Sequence, residues 1–240
     1  MIDLSTGNIY VSAEWEQMDP TSIPHEQRIT LYEMLLAKAL IMRASQRTPE
    51  ITLQNQDKIF PYIKYTLEWL RQTDFYSSPA STKYHDSYHG GLLLHTLKVY
   101  SALKDLSRVS KFESVVATQW WSAVLVVLVH DWCKIGRYES YMKNVPPDDE
   151  CPDWHQVPAY KYKEDSVGRF GHGPQSLVVA MQLFNNQYTS LTFEEMAAIR
   201  WHMNNWDAAS YDVPDLRICN EKIPMVHMIQ FADQLAITAY

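Results

Sequence analysis

The chain has 240 residues, which is enough for one large domain or two small ones with a sizeable core. Apolar residues make up 46% of it and charged residues 20%, a balance typical of a globular rather than a disordered chain. The formal net charge of −7 argues against broad nucleic-acid affinity, which needs a basic surface. A small phosphorylated substrate is still compatible with this charge, because a bound metal can supply positive charge locally.

The cysteines and the N-terminus bear on the compartment. Cys133, Cys151 and Cys219 are widely spaced and form no CxxC pair, so the sequence indicates neither a disulfide framework nor a zinc-finger-type site. The first ten residues lack the basic and apolar regions of a secretory signal. The longest apolar run is too short to span a bilayer. We therefore expect a cytoplasmic protein without a membrane partner.

Helical periodicity predicts a mostly α chain behind a small N-terminal hairpin at residues 1–12. The apolar spacing predicts helices at about 25–46, 50–72, 91–107, 113–133, 174–187, 192–205 and 222–239. Pro61 is expected to kink or divide the second of these helices. Residues 74–90 and 143–171 are predicted to be loops, and the strand signal beyond the first hairpin is poor.

The dipeptide His130-Asp131 ends an apolar segment, Trp120 to Val129, that carries no charge and a single hydroxyl. Burying two ionisable groups there is costly unless a partner satisfies them. A metal ion is one such partner, because it takes a neutral imidazole and a carboxylate directly. A local hydrogen-bonded pair at a helix end is the alternative. The dipeptide alone leaves both interpretations open.

Further histidines and an aspartate stand at comparable places, next to or inside apolar helical segments. The complete set, in chain order, is His95, His130, Asp131, His172, His202 and Asp233. Each of these taken singly is more often structural than functional. Together they are enough ligands for two metal ions that share a bridging carboxylate.

The order H…HD…H…H…D resembles the HD-domain superfamily of metal-dependent phosphohydrolases. The segment 90–97, Gly-Gly-Leu-Leu-Leu-His-Thr-Leu, is similar to the "GGLLEHTL" of bacterial 3′–5′ exoribonucleases and some conjugative relaxases. Residues 130–136 look like "HDxGKxG", and residues 230–235 look like the closing "HxADxLD". The similarity covers residues 72–240, whereas the first 70 residues match nothing we can name.

The chain departs from this pattern at three places. Leu94 stands where an acid is usual, and Cys133 replaces the common small residue before Lys134. The usual "HH" pair is represented by His202 alone, which bears on the ligand count of a second ion. No sequence feature marks a base for Cys133, so buried packing is its expected role. His85 and His89, four residues apart, could form a separate site, but a rim or surface position is favoured.

The resemblance implies a single HD-type helical bundle over residues 72–240, with residues 1–71 forming a hairpin and extra helices packed on it. It implies two divalent ions, from among Mn, Fe, Mg, Ni and Zn, with Asp131 bridging them. The first ion would be held by His95, His130, Asp131 and Asp233, and the second by Asp131, His172 and His202. A hydroxide on the ions would attack phosphorus, and Lys134, with Arg137 as a weaker candidate, would hold a phosphate oxygen.

The expected activity is hydrolysis of a phosphomonoester or phosphodiester in a nucleotide, cyclic nucleotide or short oligonucleotide. Asp131 and Lys134 are the expected catalytic residues, and extended nucleic acid is a disfavoured substrate. Two alternatives stay open: an HD-type di-iron oxygenase, which uses the same ligand order, and a nucleotide-binding sensor without turnover. A homo-oligomer is compatible with the sequence.

Overall fold

The computed structural model describes residues 2–3, 8–9, 13–164, 170–209 and 211–238. The chain is mostly helical over these residues, as predicted. The α-helices are α1 (Ala13–Glu16), α2 (His25–Arg47), α3 (Phe60–Gln72), α4 (Gly91–Leu106), α5 (Glu113–Val129), α6 (His172–Leu183), α7 (Phe193–Trp201), α8 (Val213–Lys222) and α9 (Pro224–Thr238). Three short 3₁₀ segments join them at Ser110–Phe112, Trp132–Lys134 and Asn204–Asp207.

Two antiparallel hairpins accompany these helices. The N-terminal hairpin pairs β1 (Ile2–Asp3) with β2 (Asn8–Ile9), which agrees with the predicted strands, and the predicted turn over residues 4–7 lies outside the described residues. The second hairpin pairs β3 (Tyr138–Val145) with β4 (His155–Tyr162). The prediction of a loop over residues 143–171 is therefore wrong for much of that range. Most of the hairpin's residues are exposed or half-buried on both faces, so they lack the apolar alternation that marks a half-buried strand.

Several predicted helix boundaries also need correction. The helix predicted to begin near residue 50 begins at Phe60, with Pro61 in its first turn, where a missing N–H costs nothing. The helix α8 was not predicted at all, because a single residue of it, Leu216, is buried and the apolar periodicity is correspondingly weak. The predictions ending at residues 133 and 205 overran, since α5 ends at Val129 and α7 at Trp201.

The helix α5 lies at the centre of the fold. Residues 123–129 are buried on every side of it, because α2, α4, α7 and α9 all pack against it. An all-round apolar helix is expected where neighbours surround it. By length and composition the segment Ser110–Lys134 could also cross a membrane, which corrects the expectation that no run is long enough. Its apolar window is 56% buried inside the protein, and core helices of soluble proteins pass the same test.

Two glycines allow the close contacts that set the starts of α4 and α6. A Cβ on Gly91, the first residue of α4, would overlap the backbone carbonyl of Asp86. A Cβ on Gly173, the second residue of α6, would overlap the carbonyl of Arg200 near the end of α7. Close approach of backbones is a use of glycine that no other residue can fill. The Gly173 contact brings the start of α6, with His172, next to the end of α7, which His202 follows.

Candidate metal centre

Two histidines stand at the carboxyl ends of core helices, and each is tied to its own helix. His130 follows α5, and its Nδ1 lies 2.6 Å from the carbonyl oxygen of Val127. His202 follows α7, and its Nδ1 lies 2.8 Å from the carbonyl oxygen of Ile199. The last carbonyls of a helix have no partner within the helix, so both rings donate an Nδ1–H to an otherwise open acceptor. In the neutral form of each ring this fixes the tautomer and leaves a lone pair on Nε2.

The free lone pairs of these two rings are buried. His130 is 0% exposed and His202 is 2% exposed. Neither Nε2 atom has a hydrogen-bond partner within the described part of the chain. Buried polar atoms are nearly always paired in native structures, so two such atoms side by side are unusual. A bound cation would satisfy both of them at once, because a neutral imidazole nitrogen is a good ligand for divalent metals.

Asp131 lies at the centre of the cluster. Its Oδ2 is 3.5 Å from Nε2 of His95 and 3.5 Å from Nε2 of His130, while its Oδ1 is 3.8 Å from Nε2 of His202. Both carboxylate oxygens thus face imidazole nitrogens, one on each side. A carboxylate in this position can bridge two cations.

The remaining predicted ligands come from helices on either side. Oδ1 of Asp233, in α9, lies 3.1 Å from Nε2 of His95, in α4. His172 opens α6, and one ligand atom from each of Asp131, Cys133 and His172 lies within 4.8 Å of the others. A second such group contains His95, His130 and Asp131. The structure therefore brings all six predicted residues together, in a cluster that could hold a metal ion. The number and identity of the ions stay predictions.

The charges of the cluster balance internally. Burial opposes ionisation of Asp131, but the Lys134 ammonium and His130 outweigh it and hold the pKa of this carboxyl well below its usual range. Burial likewise opposes ionisation of Asp233, and His95 lowers its pKa. Burial, together with His130, lowers the pKa of His202 to about 4, so this imidazole stays neutral at physiological pH. Burial opposes the charge of His130, but Asp131 raises the pKa of this imidazole. The two carboxylates and the neutral His202 are already in the protonation states that metal binding needs, and a bound cation would displace the proton of His130.

Lys134 is the cation nearest to the cluster. Its Nζ lies 2.6 Å from Oδ2 of Asp131, and the side chain is buried. Burial opposes its charge, but Asp131 raises the pKa of the ammonium, which therefore stays protonated. Arg137, the weaker predicted phosphate contact, is half-buried at the base of β3. Among described residues, those lining the adjacent cavity include Lys134 but not Arg137.

The cavity beside the cluster has a volume of about 280 Å³. The cluster supplies part of its wall, and the rest comes from Lys134, His85 and several hydroxyl-bearing and apolar residues. Tyr138 and Tyr162, a pair from the second hairpin with ring centroids 5.2 Å apart, line one side. These tyrosines were not identified from the sequence, because the strand signal there is poor and Tyr162 falls within the predicted loop over residues 143–171.

His85 is a further residue of this site. Its ring lies 4.8 Å from that of His95, it lines the cavity, and burial together with His95 lowers its pKa to about 4. His89 instead lies against the ring of His25, with centroids 5.7 Å apart. The two histidines therefore have different neighbours, and His85 has the rim position that the sequence favours.

Cys133 faces the cluster from the turn after Asp131. Burial, and then the Asp131 charge, raise the pKa of its thiol to about 12, so in the absence of a cation the sulfur is protonated. The side chain is 4% exposed and forms no disulfide. The expectation of simple buried packing is correct for its burial but omits its neighbours, Asp131 and His172.

Comparison with known proteins adds no relative. No family model matches the chain, and searches of the curated proteins and of the solved structures find no significant match.

Proposed function

We propose that the protein is a metal-dependent phosphohydrolase that acts on a small phosphate ester, such as a nucleotide, cyclic nucleotide or short oligonucleotide. The observation that carries the proposal is the pair of buried Nε2 atoms on His130 and His202, which have no hydrogen-bond partner among the described residues and lie 3.5 and 3.8 Å from the two oxygens of Asp131. Each unpaired buried polar atom costs about 1–3 kcal/mol. A cation shared by the two nitrogens and the carboxylate between them would remove this cost.

A divalent ion held by these residues would supply Lewis acidity toward a phosphoryl oxygen. The other contribution comes from Lys134. Its ammonium neutralises Oδ2 of Asp131 at 2.6 Å, and a cation bound to that oxygen would take over this role. The ammonium, which already lines the cavity, could then contact a phosphate oxygen. A lysine placed in this way supports a phosphorylated substrate more than a neutral one.

The dimensions of the cavity favour a small substrate. Pockets for drug-sized ligands commonly measure about 300–1,000 Å³, and this one, at about 280 Å³, is at the lower end. The chain's net charge of −7 also disfavours long polyanions. A substrate with one phosphate group and a compact organic part agrees with both observations.

Elemental analysis coupled to a substrate panel tests the proposal. The purified protein is expected to contain a stoichiometric transition metal and to release phosphate or a phosphomonoester from at least one nucleotide. Lys134→Gln should raise KM for that substrate by about tenfold or more, as loss of one charge-assisted contact predicts. Lys64→Gln is the matched control, because Lys64 forms an exposed pair with Glu68.

Three results would contradict the proposal. If the wild-type protein bound no more metal than the His130→Asn variant, the proposed metal centre would be wrong. A metal-loaded protein that consumes oxygen with its substrate, and releases no phosphate from any ester, would favour the di-iron oxygenase alternative. Loaded protein that binds a nucleotide without either reaction would favour the sensor alternative.

A further inference from the structure

We propose that the Cys133 sulfur is a protein ligand of one of the bound ions, together with Asp131 and His172, and that it gives this position a preference for thiophilic metals. The inference rests on the metal centre proposed above and adds a ligand to it. It predicts that Zn²⁺, Fe²⁺ or Co²⁺ binds here in preference to Mg²⁺, because thiolate is a soft ligand.

The geometry that carries the inference begins with the turn after α5. Cys133 lies in the 3₁₀ segment Trp132–Lys134, two residues beyond Asp131. Its backbone N–H donates to Oγ of Ser176 in α6 at 3.0 Å. This bond ties the turn to the helix that begins with His172. Two elements far apart in sequence thus present sulfur, carboxylate and imidazole to one place, with one ligand atom of each within 4.8 Å of the others.

The groups around the Cys133 sulfur favour a cation as its partner. Cys133 and Asp131 are both buried, and Nδ1 of His172 is a buried atom without a hydrogen-bond partner among the described residues. The unpaired Nε2 of His202 lies 3.8 Å from Oδ1 of the same aspartate. A free cysteine that only filled core space would have apolar neighbours, whereas this one adjoins Asp131 and His172.

Binding of the ion to the Cys133 sulfur releases one proton. The thiol S–H bond breaks, the sulfur lone pair is donated to the ion, and the proton leaves to solvent or buffer. No oxidant or reductant takes part. Sulfur bound to Zn²⁺ is expected at about 2.3 Å, a distance that nitrogen and oxygen ligands do not give.

Cobalt titration of the metal-free full-length protein provides the test. We expect Co²⁺ to produce a near-ultraviolet sulfur-to-cobalt charge-transfer band in the wild type. Cys133→Ser and Cys133→Ala should lose this band while keeping the visible cobalt bands of a nitrogen and oxygen site. Cys219→Ser is the matched control and should keep both, because Cys219 lies in α8. X-ray absorption of the zinc form should show a sulfur shell at about 2.3 Å in the wild type alone.

Affinities give a second readout. Cys133→Ser should weaken Zn²⁺ binding by about 10- to 100-fold, at least the effect seen when an outer partner of a metal ligand is removed. The Mg²⁺ affinity of Cys133→Ser should equal that of the wild type. Circular dichroism tests whether each variant is folded. If Cys133→Ser does not fold, the same affinities are measured on Cys133→Ala. Stoichiometric cobalt without a sulfur band in the wild type would overturn this inference and leave the metal centre standing. Failure to bind cobalt at all would overturn both.

Discussion

Two buried polar clusters lie near the carboxyl end of α5 and along α7, and they differ in how completely their atoms are paired. The α2 network consists of Tyr32 and Arg43 with their partners, and it is almost fully satisfied. The Tyr32 hydroxyl donates to the Leu128 carbonyl at 2.8 Å and accepts from Nε1 of Trp132 at 3.0 Å. Arg43 donates Nε and Nη2 to the two carboxylate oxygens of Glu195, and one donor, Nη1, is left over.

The second cluster consists of the six predicted metal ligands, and several of its buried nitrogens are unpaired among the described residues. Nε2 of His130 and of His202, with Nδ1 of His95 and of His172, are buried and have no hydrogen-bond partner in the described ranges. Apart from the half-buried His172, the residues of the two clusters are comparably buried, so burial alone does not separate them. The contrast indicates that hydrogen-bond pairing, more than burial, distinguishes a structural polar cluster from a candidate binding site. The chain satisfies most of the polar groups that join its helices, whereas the open nitrogens of the second cluster are atoms that a bound cation would satisfy.

The strongest way to break this comparison is to remove one open nitrogen. His130→Asn keeps an amide N–H for the Val127 carbonyl and removes the Nε2 position. We expect loss of stoichiometric metal and a fall in phosphate release of about 1,000-fold, since metal catalysis contributes several kcal/mol to the barrier. The same variant without metal should unfold within about 1 kcal/mol of the metal-free wild type, because the lost nitrogen makes no hydrogen bond among the described residues and Lys134 still pairs with Asp131.

The matched control for that experiment is His155→Asn, which changes a histidine whose Nδ1 lies near the Asp153 carbonyl in the second hairpin. It should retain both metal and activity. If His130→Asn instead destabilised the metal-free protein by several kcal/mol, the cluster would be structural and the contrast with the α2 network would be lost.

This contrast was only half visible in the sequence. His130 and His202 could be found because each follows an apolar helical segment, where a polar residue is conspicuous. The Arg43–Glu195 pair could not, because its partners are 152 residues apart and each alone resembles a solvated charge on a helix. The surroundings of Cys133 were equally hidden, since they depend on how α6 packs through Ser176.

A substitution in the α2 network should have the next largest effect, and on stability instead of metal. Arg43→Met leaves the Glu195 carboxylate buried at 0% exposure without its cation, and we expect a loss of about 3–5 kcal/mol in the free energy of unfolding. Urea denaturation measures it. The double variant Arg43→Met with Glu195→Leu should recover most of the loss, because replacing both partners of a buried pair removes the uncompensated charge. No recovery would mean that packing around Arg43 dominates.

Tyr32→Phe is a smaller change in the same network. It removes one hydroxyl and leaves the Leu128 carbonyl and the Trp132 indole N–H unpaired in the core. We expect a loss of about 1–3 kcal/mol in stability. Because both partners flank His130 and Asp131, metal affinity in the folded variant is the sharper measurement. A fall of less than about tenfold keeps the two clusters distinct, while a larger one would make Tyr32 a positioning residue for the metal centre.

The smallest effect is expected at the start of α7, where the two clusters share one helix. The Thr192 hydroxyl caps this helix by accepting from the backbone N–H of Glu195 at 3.2 Å. In return, Oε2 of Glu195 accepts from the backbone N–H of Thr192 at 2.8 Å. Thr192→Ala should cost about 1 kcal/mol, as N-cap losses do, and Thr192→Ser should cost less because it keeps the hydroxyl.

His202 follows the opposite end of α7, so this substitution also measures how far strain travels along the helix. The capping loss concerns the first turn, whereas the His202 ring is held by the Ile199 carbonyl in the last turn. We therefore expect unchanged cobalt affinity in Thr192→Ala at temperatures where the protein is folded. A parallel drop in stability and cobalt affinity would show that α7 transmits the state of its first turn to the metal ligands. The satisfied and the open cluster would then behave as one energetic unit, despite their different pairing.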